Sequence, residues 1–261
     1  MAASVFDSPL YAKRFPTGDA GRLFTESAKL RAILLVIGNL AKVQAESGAI
    51  PAESGMFLHR NTMEVQIDPA SLAQSIGTGR PLASALSDAF AKELEAPEHS
   101  QYLMRGAEAQ AVAATADALR LRQFLTLCAR DLAALPEKST ALTDLEAALP
   151  ALKTAISQLW LRGLPAEDHT ALAAALRLGD TPSAPLQAVL HALGSWLAAL
   201  AGALSDANSK ADARHAALAS ACRGHESAFA ESAEVSEVTT TLHLPQLCLG
   251  AYSSLLLAQK S

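Results

Sequence analysis

Aromatic side chains make up only 5% of this chain, charged ones 18%, and there are just three cysteines in 261 residues. Each scarcity excludes something. Cys128, Cys222 and Cys248 are odd in number and far apart, so they offer neither a disulfide framework nor a zinc-ligand spacing. They point to a reducing compartment, the cytoplasm. No basic cluster interleaves with aromatics and the formal net charge is −5, which argues against a nucleic-acid partner. No alternating apolar pattern marks a strand: Thr239-Thr240-Thr241-Leu242 leans towards β but is too short to carry a sheet. Asp7 and Pro9 interrupt any apolar run of the signal-peptide kind. The most membrane-like stretch, Leu186–Leu204, holds Gln187, His191, Gly194 and Ser195 and much alanine, so it reads as a buried bundle helix and no membrane partner is expected.

What is present is apolar and helical. Hydrophobic residues reach 50%, with alanine and leucine in long runs, which favours helices packed at short distance. Residues 1–24, with Pro9, Pro16, Gly18 and Gly21, read as an extended arm. Thr25 caps a helix with apolar positions Leu30, Ile33, Leu34, Ile37 and Leu40, ending at Gly48. Helices are expected over 53–66, after the Asp68 cap with Pro69 in its first turn, and from Pro81 to Glu95, where Pro97 breaks the run. A long helix follows Ser100–Arg105 and stops before Pro136. Helical patterns resume at 139–161, 165–178, 184–205, 206–223 and 225–259, the last interrupted by Pro245. The expected fold is all-α: a small N-terminal helical region, 1–100, then a bundle of long helices, 101–261.

Several segments carry a resemblance. Gly106-Ala-Glu-Ala-Gln110, followed by Ala111, resembles the Gly-Ala-Thr-Ser-Gln-Asp signature of 3-carboxy-cis,cis-muconate cycloisomerases of the fumarase/aspartase superfamily. Ser8-Pro-Leu-Tyr11 and Leu23-Phe-Thr-Glu-Ser-Ala-Lys-Leu-Arg31 are similar to that family's arm and first helix. Leu40-Ala-Lys-Val-Gln-Ala-Glu-Ser-Gly-Ala-Ile-Pro51 follows its Leu-Ala-x-x-Gln-x-x-x-Gly-x-Ile-Pro. Ala96–Leu103 and Leu119–Leu125 flank the signature as in the family, and His225-Glu226 with Leu244–Ala251 resemble its His-Glu-Arg-Asp-Gly and Leu-Pro-Gln segments.

The departures fall where the resemblance places chemistry. The family's Thr, Ser and Asp hydrogen-bond a polycarboxylate; here Glu108, Ala109 and Ala111 stand there. A carboxylate repels such a substrate and a methyl offers no donor. Met104-Arg105 replaces His-Trp. The Thr-x-Gly-Gln-x-Ala-x-Pro region is missing, since the chain passes from Leu135 to Pro136-Glu-Lys-Ser139. The Ser-Ser-x-Met-Pro-x-Lys-x-Asn loop is missing too, Asp206-Ala-Asn-Ser-Lys210 sharing letters without spacing. Ser227-Ala-Phe229 stands for Arg-Asp-Gly.

Four residues are carried over as candidates: Glu108 and His225 as acid–base groups, Gln110 and Gly106 as substrate contacts. For each, the plainer alternative is a solvated helix face, a packing amide, a turn, or a helix start. Gly77-Thr-Gly79-Arg80 lacks the following Lys-Ser/Thr of a phosphate loop and reads as a turn. The histidines show no metal-ligand spacing, so neither metal nor cofactor is expected. The resemblance implies an inactive paralogue acting through association or regulation, with itself as homodimer or higher oligomer, or with a full-length cycloisomerase relative. The alternative is an isomerase or lyase of aromatic degradation, acting on a small polycarboxylate with a rebuilt site.

Overall fold

The structure, a computed structural model, describes residues 4–208, 210–231 and 236–259. It is all-α: α1 (Glu26–Glu46), α2 (Ala52–Glu64), α3 (Ala73–Gly77), α4 (Leu82–Leu94), α5 (Pro97–Ser100), α6 (Ala109–Ala133), α7 (Thr140–Ile156), α8 (Ala166–Leu176), α9 (Leu186–Asn208), α10 (Ala213–Ala230) and α11 (Glu237–Ala258), with 3-10 turns at Gly18–Phe24 and Pro69–Leu72. Among the described residues the one β-type pairing is an isolated bridge between Gln158 and Gly179.

Side-chain caps fix where several helices begin. The Thr25 hydroxyl accepts from Ala28 N at 3.2 Å and Asp68 from Ala70 N at 3.0 Å, as the sequence predicts. Asp212 and Ser236 cap α10 and α11 in the same way, accepting from Arg214 N at 2.9 Å and Thr239 N at 3.1 Å. Three expectations fail. Residues 4–24, expected as an extended arm, fold into local turns and a 3-10 helix over Gly18–Phe24, with Tyr11 O accepting from Arg14 N at 2.8 Å and Phe15 N at 2.9 Å. The helix expected to reach residue 161 ends at Ile156, because Leu159 N and Gly179 N turn instead to Gly179 O and Ser157 O, both at 2.8 Å. Helices expected from 206 and from 225 are displaced: α9 runs on to Asn208 and α10 runs through Gly224 to Ala230. Asp212 supplies the start of α10, and Gly224 is tolerated in its interior. Ser209 and residues 232–235, which those expectations include, lie outside the described residues.

The chain divides into two compact units. One comprises Thr25–Leu121 and Ser157–Ser183. Its core gathers Ile33, Ile37 and Leu40 of α1, Leu86 and Phe90 of α4, Val112 and Ala116 of α6, and Leu172 of α8. Here α1 and α2 cross closely: a Cβ built on Gly55 would fall 2.2 Å from Ala45 Cβ and 2.7 Å from Ala41 O. Only a residue without a side chain fits that crossing.

The other unit comprises Met1–Phe24, Arg122–Ile156 and Ala184–Ser261. Here α7, α9, α10 and α11 pack together. The second half of α11 is enclosed, with Leu247, Cys248, Ala251, Tyr252 and Leu255 all buried. Trp196 anchors α9 by donating its Nε1 to Leu145 O at 3.0 Å. Phe124 meets Phe24 edge-on and Tyr252 at a tilt, with centroids 5.5 and 5.9 Å away. Leu186–Asn208 is the one helix among the described residues long and apolar enough to cross a membrane, and 61% of its most apolar window is buried in the protein. It is a core helix of this unit.

Candidate functional site

The segment that resembles the catalytic signature begins at a constrained turn in the first unit. Met104 and Gly106 both have positive φ, +52° and +70°, a conformation natural to glycine and costly for methionine. Gln44 of α1 holds this turn, donating its Nε2 to Arg105 O at 2.8 Å. The Arg105 guanidinium lies 5.8 Å from the Tyr102 ring centre. The glutamine of the Leu40–Pro51 motif therefore supports the approach to the signature.

Beyond the turn the chain enters α6, with Glu108 O accepting from Val112 N at 3.0 Å. Gly106, Glu108 and Gln110 are exposed. A Cβ at Gly106 would meet no heavy atom within 4 Å, so nothing walls in the glycine. Ala109 and Ala111, at the positions of the family's serine and aspartate, pack against the unit's apolar core. Ala109 and Ala111 are packing positions, and Glu108 and Gln110, which alternate with them, face solvent.

His225 lies in the other unit, well inside α10 and not at a helix start. Its Nδ1 is 3.2 Å from the Nδ1 of His243 on α11, with ring centroids 5.6 Å apart and planes inclined by 55°. Burial, reinforced by the His243 ring, holds the His225 imidazole below its ordinary pKa and thus neutral. Glu226, next along the helix, turns to α9 and accepts from Ser195 Oγ at 3.1 Å.

Two further polar groups in this unit escaped the sequence. The first is built on Asp131, which is 6% exposed. The buried Tyr252 hydroxyl donates to its Oδ2, and Arg130 grips it through Nε at 2.8 Å and Nη2 at 2.9 Å. Gln259 Nε2 reaches Asp131 O at 2.9 Å. Burial pushes the Asp131 carboxyl up, but Arg130, Tyr252 and Gln259 outweigh it and hold the group below the ordinary range. Burial, and then Asp131, raise the Tyr252 phenol, which stays a protonated donor. The second is His215, fully buried, whose Nδ1 lies 2.7 Å from Ser254 Oγ. Burial lowers its pKa, and the pair is sealed inside the helices. The partners in each are far apart in sequence, 121 residues for Asp131 and Tyr252, so no spacing announces them.

Comparison with solved structures defines a class first: the chain has an all-α, fumarase/aspartase-like fold. Within it, the chain is similar to the 3-carboxy-cis,cis-muconate lactonizing enzyme of Pseudomonas putida, with a TM-score of 0.81 and 20% identity over 95% of this chain and 75% of that one. It is also similar to the fumarate lyase of Mesorhizobium sp. BNC1 (0.79, 17%, 92% and 73%). A third such structure is the beta-carboxy-cis,cis-muconate cycloisomerase of Acinetobacter calcoaceticus sp. ADP1 (0.70, 18%, 96% and 76%). At these identities the likeness is one of fold. No family model and no curated protein matches the sequence.

Proposed function

We propose that this chain has kept the scaffold of a cycloisomerase while giving up its chemistry, and that it acts through association with protein, either a second copy of itself or a full-length cycloisomerase. The observation that carries this reading is the inversion at the start of α6. Ala109 and Ala111 are spent on core packing, and Glu108 presents a negative charge where a polycarboxylate would need donors. Neither the exposed Gln110 amide nor the open Gly106 turn supplies the missing contacts. Association is supported by the outward face of α10, where Ala213, Ala216, Ala217, Ser220, Ala221 and Gly224 are exposed with Arg223 as the exposed charge beside them. Solvated helix faces are usually dressed in charged residues. Val238 and Leu242 of α11 add apolar exposure at 67% and 59%.

The alternative, a rebuilt isomerase or lyase acting on a small polycarboxylate, draws on His225. A neutral, half-buried imidazole in contact with a second imidazole is a fair general base. Among the described residues its hydrogen-bonded group holds His243 and no carboxylate-binding cation, which is why we favour the first reading. Calorimetric titration of 3-carboxy-cis,cis-muconate into the chain separates the two: no saturable heat is expected, and saturable binding lost on Gln110→Ala or His225→Ala would establish the rebuilt site.

A further inference from the structure

The contact between His225 and His243 asks for an explanation that the scaffold role does not give. Two imidazoles from different helices, α10 and α11, meet nitrogen to nitrogen, Nδ1 to Nδ1 at 3.2 Å, rather than ring face to ring face. Only one of the two nitrogens can carry a hydrogen in this pose, so at least one lone pair points into the gap. Zn–N bonds of about 2.0–2.1 Å at a tetrahedral angle place two ligand nitrogens about 3.3 Å apart. The observed separation is therefore that of two ligands of one ion as well as that of a hydrogen bond.

We propose that His225 and His243 form a two-histidine site for a borderline divalent cation of the zinc type, bound through both Nδ1 atoms with water completing the shell. Imidazole nitrogen suits zinc, nickel and copper, and excludes the hard calcium and magnesium ions. Among the described residues no group of three or more histidine, cysteine or carboxylate side chains is placed to hold a metal, so the protein supplies two ligands and the site is an open one. The neighbouring Glu226 stays with Ser195 and lies outside the shell. The proton carried by one Nδ1 in the free pair passes through solvent to that ring's Nε2, which leaves both Nδ1 lone pairs for the ion. The ion ties the first turns of α11 to α10 at a point just before Pro245, where α11 lacks one backbone donor of its own ladder.

The test is calorimetric titration of Zn2+ alone into the tag-free chain near neutral pH, with His225→Asn and His243→Asn in parallel. The asparagines keep a polar group between the helices while removing the imidazole. The expected result is one saturable equivalent in the parent chain, weakened by more than about tenfold in each variant, and a melting temperature that rises with Zn2+ in the parent chain alone. Absence of a saturable equivalent, or binding that survives in either variant, overturns the proposal. Should a variant not fold, the imidazole NMR signals of the parent chain decide the matter. Of its seven histidines, two are expected to shift together at one equivalent, and shifts at other histidines, or at none, contradict the site.

Discussion

Replacing Tyr252 by phenylalanine removes one oxygen from a buried polar contact of its unit and leaves the ring in place. The ring is fully buried and keeps its contact with Phe124 at 5.9 Å. What disappears is the hydroxyl's hydrogen bond to Asp131 Oδ2. A hydrogen bond to a charged acceptor contributes about 1.5–3 kcal/mol, and the hole left by one oxygen changes that little. For a chain of this size the loss corresponds to a melting temperature lower by roughly 3–12 °C. The pH dependence has a definite sign. The Asp131 carboxyl is held below its ordinary value in the folded protein, so its contribution is fully present above the unfolded pKa of about 3.9 and is lost as pH falls through the folded value. Tyr252→Phe is therefore furthest from the parent at neutral pH and approaches it in acid. Urea denaturation of both proteins near neutrality and again near the carboxylate range measures this. A neutral-pH difference under about 0.5 kcal/mol, the range of ordinary surface changes, or one that does not shrink in acid, refutes the reasoning.

Gly55→Ala should cost about 1–3 kcal/mol in urea denaturation, because its Cβ would lie 2.2 Å from Ala45 Cβ and 2.7 Å from a backbone oxygen that cannot move independently. Glu108→Ala should change stability by less than about 0.5 kcal/mol, since the side chain is exposed at the start of α6; a loss of several times that by the same measurement would reveal a buried, paired carboxylate. Light scattering across a dilution series should report a mass above the monomer, most simply a two-fold dimer. A compact monomer at micromolar concentration that gains no mass on addition of a full-length cycloisomerase would remove the association reading.

The all-α class and many helix boundaries are legible in the sequence because capping is local. Thr25 and Asp68 each satisfy a donor within three residues of themselves. The resemblance of Gly106–Ala111 to the signature is a matter of letters and position, and it is the letters that differ, Glu108, Ala109 and Ala111, that motivate the proposed loss of chemistry. What the sequence leaves open is which face each letter takes. The packing of Ala109 and Ala111 on the core follows from the placement of the whole of α6 in its unit. The C-terminal helices defeat periodicity for a different reason: alanine-rich stretches around 206–230 lack apolar contrast, so Asp206 and His225 look like starts as readily as Asp212 does. The reading of 186–204 as a buried bundle helix rests on its composition, and α9 is covered accordingly, as is the second half of α11; the exposed aliphatics of α11 are Val238 and Leu242. His225 with His243, and Asp131 with Tyr252, are meetings of distant segments that only helix packing creates.

The most direct test of the account is turnover. Removing one transition-state donor typically lowers a rate by about 10²–10³, and under the proposed reading Glu108, Ala109 and Ala111 stand where the resemblance places the family's hydroxyls and carboxylate. The purified chain, mixed with 3-carboxy-cis,cis-muconate and followed for lactone formation, is expected to give no rate above the uncatalysed one. Enzyme-like turnover that is abolished by Gln110→Ala or His225→Ala would contradict the claim that the scaffold has outlived its chemistry.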